Sequence, residues 1–176
     1  SYTFSVSNSQ GTSLIKDRPF TAEMTRSIML LKEKPYRPRM ADYRIGVFFT
    51  GREQLGEGAK TTAPVYYANR WDIQPSDTAA YLCGEKVKPT KQIVFYIDNT
   101  FPEKWKPYLR EGVTQWNELF EQIGFKDVVA AKDFPTDDPE FDPDNIKYSC
   151  VRYAPSSIEN AMGPSWVDPR SGEILN

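Results

Sequence analysis

Through the first half of the chain, apolar and polar positions alternate at the two-residue period of half-buried strands. Tyr2, Phe4 and Val6 alternate with polar neighbours and predict a strand, closed by a turn at Gln10-Gly11-Thr12. Ser27 to Glu33 is a short apolar run. Lys34 to Arg44 carries Pro35 and Pro38, so it is expected to cross in extended form and not as a central strand, because proline gives no N–H to a ladder. Arg44 to Gly51 and Val65 to Ile73 predict two more strands, joined by a polar, glycine-bearing loop from Arg52 to Thr62. In the latter strand Tyr67, Asn69 and Trp71 share one face, and Tyr66, Ala68 and Arg70 the other. Together these segments suggest a small meander or a piece of a larger β domain.

Beyond a short, polar, proline-bearing stretch from Lys86 to Lys91 the pattern changes. The expected organisation is therefore a β-rich segment over 1–88 and an α/β unit over 89–176. Gln92 to Asn99 is a nearly continuous apolar run, the pattern of a strand covered on both faces. Thr100, Pro102 and Glu103 have the spacing of a capping box at a helix start. Trp105, Leu109, Val113, Trp116, Phe120 and Ile123 then recur at three- and four-residue steps, predicting one long amphipathic helix. Pro107 falls in its first turns, where a missing N–H is tolerated, and Gly124 stands where a terminating glycine would. The short strand Asp127 to Ala131 follows, so the unit implies a crossover and a parallel strand pair. An acidic loop with three prolines (Asp133 to Asn145), a strand in Ile146 to Pro155, a link through Ser156 to Met162 and a closing turn at Asp168-Pro-Arg-Ser-Gly172 complete the chain. The fold class expected is α+β.

Composition narrows the chemistry. Of 176 residues, 39% are hydrophobic and 14% aromatic, and 14 are proline, which favours sheets and rigid loops over a helix bundle. The net charge of −2 gives no electrostatic footprint for nucleic acid or an anionic membrane. No apolar stretch is long enough to span a bilayer, and Ser1 opens directly into the expected first strand, so any targeting segment is expected to have been removed or to lie outside this sequence. The two cysteines, Cys83 and Cys150, have no metal-ligand spacing; they either pair or remain separate thiols. There is no histidine, which removes the usual general base and the commonest zinc ligand.

The remaining candidates all have plain structural alternatives. The acidic loop lacks the spacing of a calcium-binding loop and reads as a solvated loop. Trp105 and Trp116 lie on the apolar stripe and are expected in the core, whereas Trp166, beside glycine and proline, is expected half exposed. Asp98, Asp168 and Glu173 are scattered over strand ends and turns, and Asp168 has a ready role in the turn it opens.

A resemblance adds to this reading. Ile93 to Phe125 resembles the opening strand and helix of a metzincin-type, matrixin-like zinc metallopeptidase domain, and Ile146 to Pro155 its third strand. Gly163 to Asn176 resembles the edge strand, its turn and the start of the next strand. Pro35 to Phe49 and Tyr66 to Ile73 are similar to the region preceding the peptidase domain in large bacterial exported zinc metallopeptidases. The resemblance implies a partial metzincin-like sheet with one long helix, and a chain that stops before the H-E-x-x-H helix. It therefore carries over no catalytic or metal residue. Zinc and a peptide or protein substrate are implied for a full-length protein, and no cofactor for this chain. An extracytoplasmic location is implied too. In such enzymes the edge strand runs antiparallel to the bound peptide, which nominates Met162, Gly163, Pro164, Ser165, Trp166 and Val167 as a substrate edge, against a plain edge strand. The alternative function is a non-catalytic protein- or carbohydrate-binding module, the latter built on Trp71 and nearby tyrosines. An incomplete sheet would also expose apolar surface able to pair two copies.

Overall fold

The computed structural model describes residues 25–56, 61–155 and 160–176, so the expected first strand and turn, and part of the link after Pro155, lie outside the described residues. The described chain is α+β. Its elements are β1 (Phe49–Leu55), β2 (Thr62–Ala68), α1 (Thr78–Leu82), β3 (Ile93–Ile97), α2 (Lys106–Thr114), α3 (Trp116–Gln122), β4 (Val129–Asp133), β5 (Ser149–Val151), β6 (Val167–Asp168) and β7 (Glu173–Ile174).

The apolar run at Ile93 becomes the central strand of a three-stranded sheet in the order β4-β3-β5. Both neighbours are parallel to it, with Ile93 opposite Val129 and Tyr96 opposite Cys150. Ile93 and Ile97, on one face of this strand, are buried, Ile97 fully, and Val94 and Tyr96 on the other face are half buried. The crossover is therefore the expected strand–helix–strand unit, and α2 packs on β3 and β4. Gly124 ends it through a left-handed φ of 87°. The Gly124 N–H donates to Glu121 O and the Phe125 N–H to Phe120 O, the paired bonds of a Schellman motif. A Cβ at Gly124 would sit 2.9 Å from the Tyr81 ring, a second reason for glycine.

Three helical expectations are corrected. The long helix is two pieces meeting at Gln115. There is no capping box: the Thr100 hydroxyl donates to Asp98 Oδ1 at 2.8 Å, Glu103 pairs with Lys106 at 2.6 Å, and α2 starts at Lys106 with no side-chain cap. Asp98 lies closer in sequence and captures the hydroxyl before a helix turn can form. The stripe also divides. Val113 and Phe120 pack on the core, but Trp105, Trp116 and Ile123 are exposed, Trp116 at 59%.

In the first half, strand and loop are shifted against expectation. The ladder of β1 with β2 runs antiparallel from Phe49–Ala68 to Leu55–Thr62, so Arg52 to Leu55 is strand, not loop. Residues 44–48 fall outside β1, and Trp71 lies beyond β2. Pro35 to Ala41 does cross in extended form beside β2, joined by the Ala68 N–H to Arg39 O and the Ala41 N–H to Tyr66 O. The apolar run from Ser27 forms no regular element, and the short helix α1 has no counterpart in the sequence expectations.

The core cluster is Val87, Ile93, Phe125, Val128 and Val129, with Trp71, Ile73, Ala80 and Tyr81 packed against it. Contacts thus run across position 88: the Val87 N–H donates to Gly124 O, and the Lys126 N–H to Val87 O. Trp71 meets Phe95 edge-on at 6.4 Å, turning its ring inward.

Candidate functional site

The two outer edges of the parallel sheet differ. Asp98 N–H donates to Val151 O, so Val151 faces β3. In a parallel ladder alternate residues point opposite ways, so the N–H and C=O of Tyr148, Cys150 and Arg152 point away from β3. Cys150 lines a groove of about 670 Å³ together with Thr25 to Ile28, Trp166 and Asn176. Along β4 the outward residue Val129 is satisfied instead by one side chain: Asn117 Oδ1 accepts its N–H at 2.8 Å, and Asn117 Nδ2 donates to its C=O at 2.9 Å.

Two charged features sit beside the groove. Arg152 is ion-paired with Asp144 of the acidic loop. That loop folds as successive local turns in which Asp138, Asp142 and Asn145 each accept a nearby backbone N–H, the behaviour of a self-supporting surface loop. The Cys150 thiol is half buried, and that burial pushes its pKa up to about 11 despite the nearby Arg152. It is therefore a protonated, weakly nucleophilic group at neutral pH. Neither cysteine is disulfide-bonded, and Cys83 is exposed.

The three sequence-flagged carboxylates are not one catalytic group. Asp98 leaves the carboxyl end of β3 and accepts from the Thr100 N–H at 2.9 Å, the Thr100 hydroxyl and the Tyr153 N–H at 3.2 Å. Burial pushes its pKa upward, but these donors and the Arg152 charge outweigh it and hold the carboxyl below the usual range. Its lone pairs are spent tying the exit of β3 to that of β5. Asp168 and Glu173 stand opposite each other in the β6–β7 register. Asp168, 1% exposed, accepts from the Arg170 guanidinium and backbone N–H, which keep its pKa low against burial. Glu173 accepts from Lys32 at 2.7 Å, and Lys32 also reaches Asp72 at 3.0 Å.

The closing turn forms as its residues require. The Ser171 and Gly172 N–H groups both donate to Asp168 O. Gly172 has a φ of 75°, and a Cβ there would lie 2.5 Å from Ala68 O. That close approach docks the hairpin on the end of β2, where the Arg70 N–H donates to Gly172 O and the Ile174 N–H to Arg70 O.

Of the nominated substrate edge, only Val167 lies in a strand, opposite Ile174. Met162, Gly163, Pro164 and Ser165 are exposed and irregular. Trp166, 63% exposed, still bonds through its backbone to Leu175 and Asn176. None of the six pairs with the three-stranded sheet. Asn176 reaches that sheet by its side chain, donating to Ile146 O and to Tyr148 O. Sequence reasoning passed over Lys32, Asn117 and Asn176. Each is an ordinary polar residue whose partner is distant in sequence or is a backbone group.

Among the described residues no group of three or more His, Cys, Asp or Glu side chains could hold a metal ion. With no histidine in the chain, the donor set does not fit a metzincin zinc centre. No described helix is long and apolar enough to cross a membrane. Among known families, a model described as a domain of unknown function (DUF5117) matches residues 1–76, which include β1 and β2 and stop short of the α/β unit. No curated protein and no solved structure matches the chain.

Proposed function

We propose that this chain forms part of an exported, zinc-dependent metallopeptidase, supplying sheet and substrate-cleft structure while the zinc ligands come from outside these residues. The observation that carries this reading is topological. A central strand, a crossover helix and two flanking parallel strands are followed in the chain by a separate antiparallel hairpin, which docks on the end of β2. That is the order the resemblance to the metzincins implies. In this reading the exposed Met162 to Val167 segment offers main-chain groups to a bound peptide, and Trp166 gives it an exposed aromatic wall. Alone, the chain binds no catalytic zinc and cleaves no peptide.

The test is to follow the reading frame past Asn176 and purify the encoded protein. Stoichiometric zinc, with peptide-bond cleavage that a chelator abolishes and zinc restores, supports the proposal. A frame without an H-E-x-x-H helix, or a tight zinc site in residues 1–176 themselves, refutes it.

One observation favours a second reading, a protein-binding module. Ile28, Leu30, Tyr43 and Phe48 in the first half of the chain are almost fully exposed, a density of apolar surface suited to a protein partner. Full-length protein that is monomeric, zinc-free and inactive on peptides, yet retains a specific protein ligand, would favour it.

A further inference from the structure

The segment from Thr25 to Lys34 has no regular structure, yet it is fixed at two points. At one end the Ser27 hydroxyl donates to Asp144 O at 3.3 Å, across the groove beside β5. At the other, the Lys32 ammonium lies between Glu173 and Asp72, and Arg170 Nη2 donates to Lys32 O at 2.8 Å. Between these points Met29 and Leu31 are half buried, while Ile28 and Leu30 are each 98% exposed. The contacts that fix its two ends are polar and ionic and lie at the surface, where contacts open at lower cost than a packed core. Its leading residues, Thr25 to Ile28, line the same groove as Cys150 of β5.

We infer that residues 25–34 are a displaceable strap, clasped at Lys32, that gates access to the open edge of β5. The placement of charge supports this. Glu173 is nearly buried at the docked hairpin, whereas the Lys32 side chain is more than half exposed. The fixed half of the clasp belongs to the body, and the movable half to the strap. The groups facing Lys32 are Glu173 and Asp72, with Asp168 and Arg170 of the same hairpin and Arg70 alongside. Arg170 is committed to Asp168, which leaves Lys32 as the cation on Glu173. Opening the strap would uncover Cys150 and the unpaired groups of β5 to an extended segment. The inference stands whether or not the peptidase reading holds, since it concerns access to a groove within this chain.

Cys150 lines the groove and serves as the reporter, with Cys83, which is exposed, replaced by serine. Labelling of Cys150 by a maleimide is followed by mass spectrometry, and amide exchange at Ile97 monitors global opening. Lys32→Met keeps the aliphatic stem and removes the charge; it should speed Cys150 labelling by about fivefold or more while Ile97 exchange stays unchanged. Lys32→Arg should restore slow labelling, and Ser27→Ala should give a smaller acceleration. Unchanged labelling in both Lys32→Met and Ser27→Ala overturns the inference. So does an acceleration matched by equal acceleration at Ile97. If Lys32→Met fails to fold, Ser27→Ala, which removes only an exposed hydroxyl, decides the question alone.

Discussion

The β4 edge of the parallel sheet is capped at its first residue, Val129, from within its own unit, and the β5 edge has no such cap. Asn117, on the crossover helix α3, gives both its amide atoms to Val129. The crossover that makes the strand pair parallel therefore also caps the start of its outer edge. Among the described residues no helix packs along β5 to do the same. Its outward groups meet a groove, a strap and the side chain of Asn176. An unpaired edge invites another strand, so the asymmetry marks where a further segment can join this sheet. The largest effect that would break the comparison is at Asn117. Asn117→Ala leaves the N–H and C=O of a nearly buried residue unpaired and should cost about 2–4 kcal/mol. Urea unfolding should show a lower midpoint at unchanged slope. A loss below about 0.5 kcal/mol would mean water replaces the side chain and the edge is not capped.

Asp98 sharpens the other side of the comparison, because it secures β5 at its exit and not along its edge. Asn in its place cannot accept the Thr100 and Tyr153 donors together, and the loss should be about 1.5–3 kcal/mol at neutral pH. The sign with pH follows from the lowered folded pKa. The carboxylate's contribution is fully present above its unfolded value of about 3.9 and is lost as pH falls through the lower folded value. The stability gap between Asp98→Asn and the parent should therefore be constant near neutrality and close only below about pH 4. A gap that stays constant under acid would show that Asp98 acts by packing alone.

Gly124 tests the helix exit that feeds β4. Gly124→Ala must hold a left-handed φ and press on the Tyr81 ring, at a cost of about 1–2 kcal/mol. Thermal unfolding measures it; a neutral substitution would mean the turn and Tyr81 both relax.

Much of the sheet was legible because its signals are local. Ile93 to Ile97 is apolar at consecutive positions, which only a strand covered on both faces needs. Gly124 and the Asp168-to-Gly172 turn declare their backbone geometry within a few residues. The failures need distant information. A three-four stripe shows which helix residues are apolar but not which meet a partner, so Trp116 looked like core beside Val113 and is exposed. Thr100 could serve a helix or Asp98, and the structure decides for Asp98. Helix α1 has five residues, too few to show a period. Of the nominated edge, Met162 to Ser165 lacks alternation, and only its last residue enters a ladder. Lys32 and Glu173 are 141 positions apart, and no spacing rule joins them.

The smallest expected effect lies at the open edge itself. Asn176 bonds Ile146 O and Tyr148 O, yet those carbonyls stand beside a groove that solvent can enter. Asn176→Ala should thus cost only about 0.5–1 kcal/mol, since water can take over both acceptors. The change should be confined to the edge: faster amide exchange at Tyr148, whose N–H donates to Asn145 O, with none at Val129 on the capped side. Equal acceleration at both edges would mean that Asn176 stabilises the whole sheet, and the contrast between a capped and an open side would no longer hold.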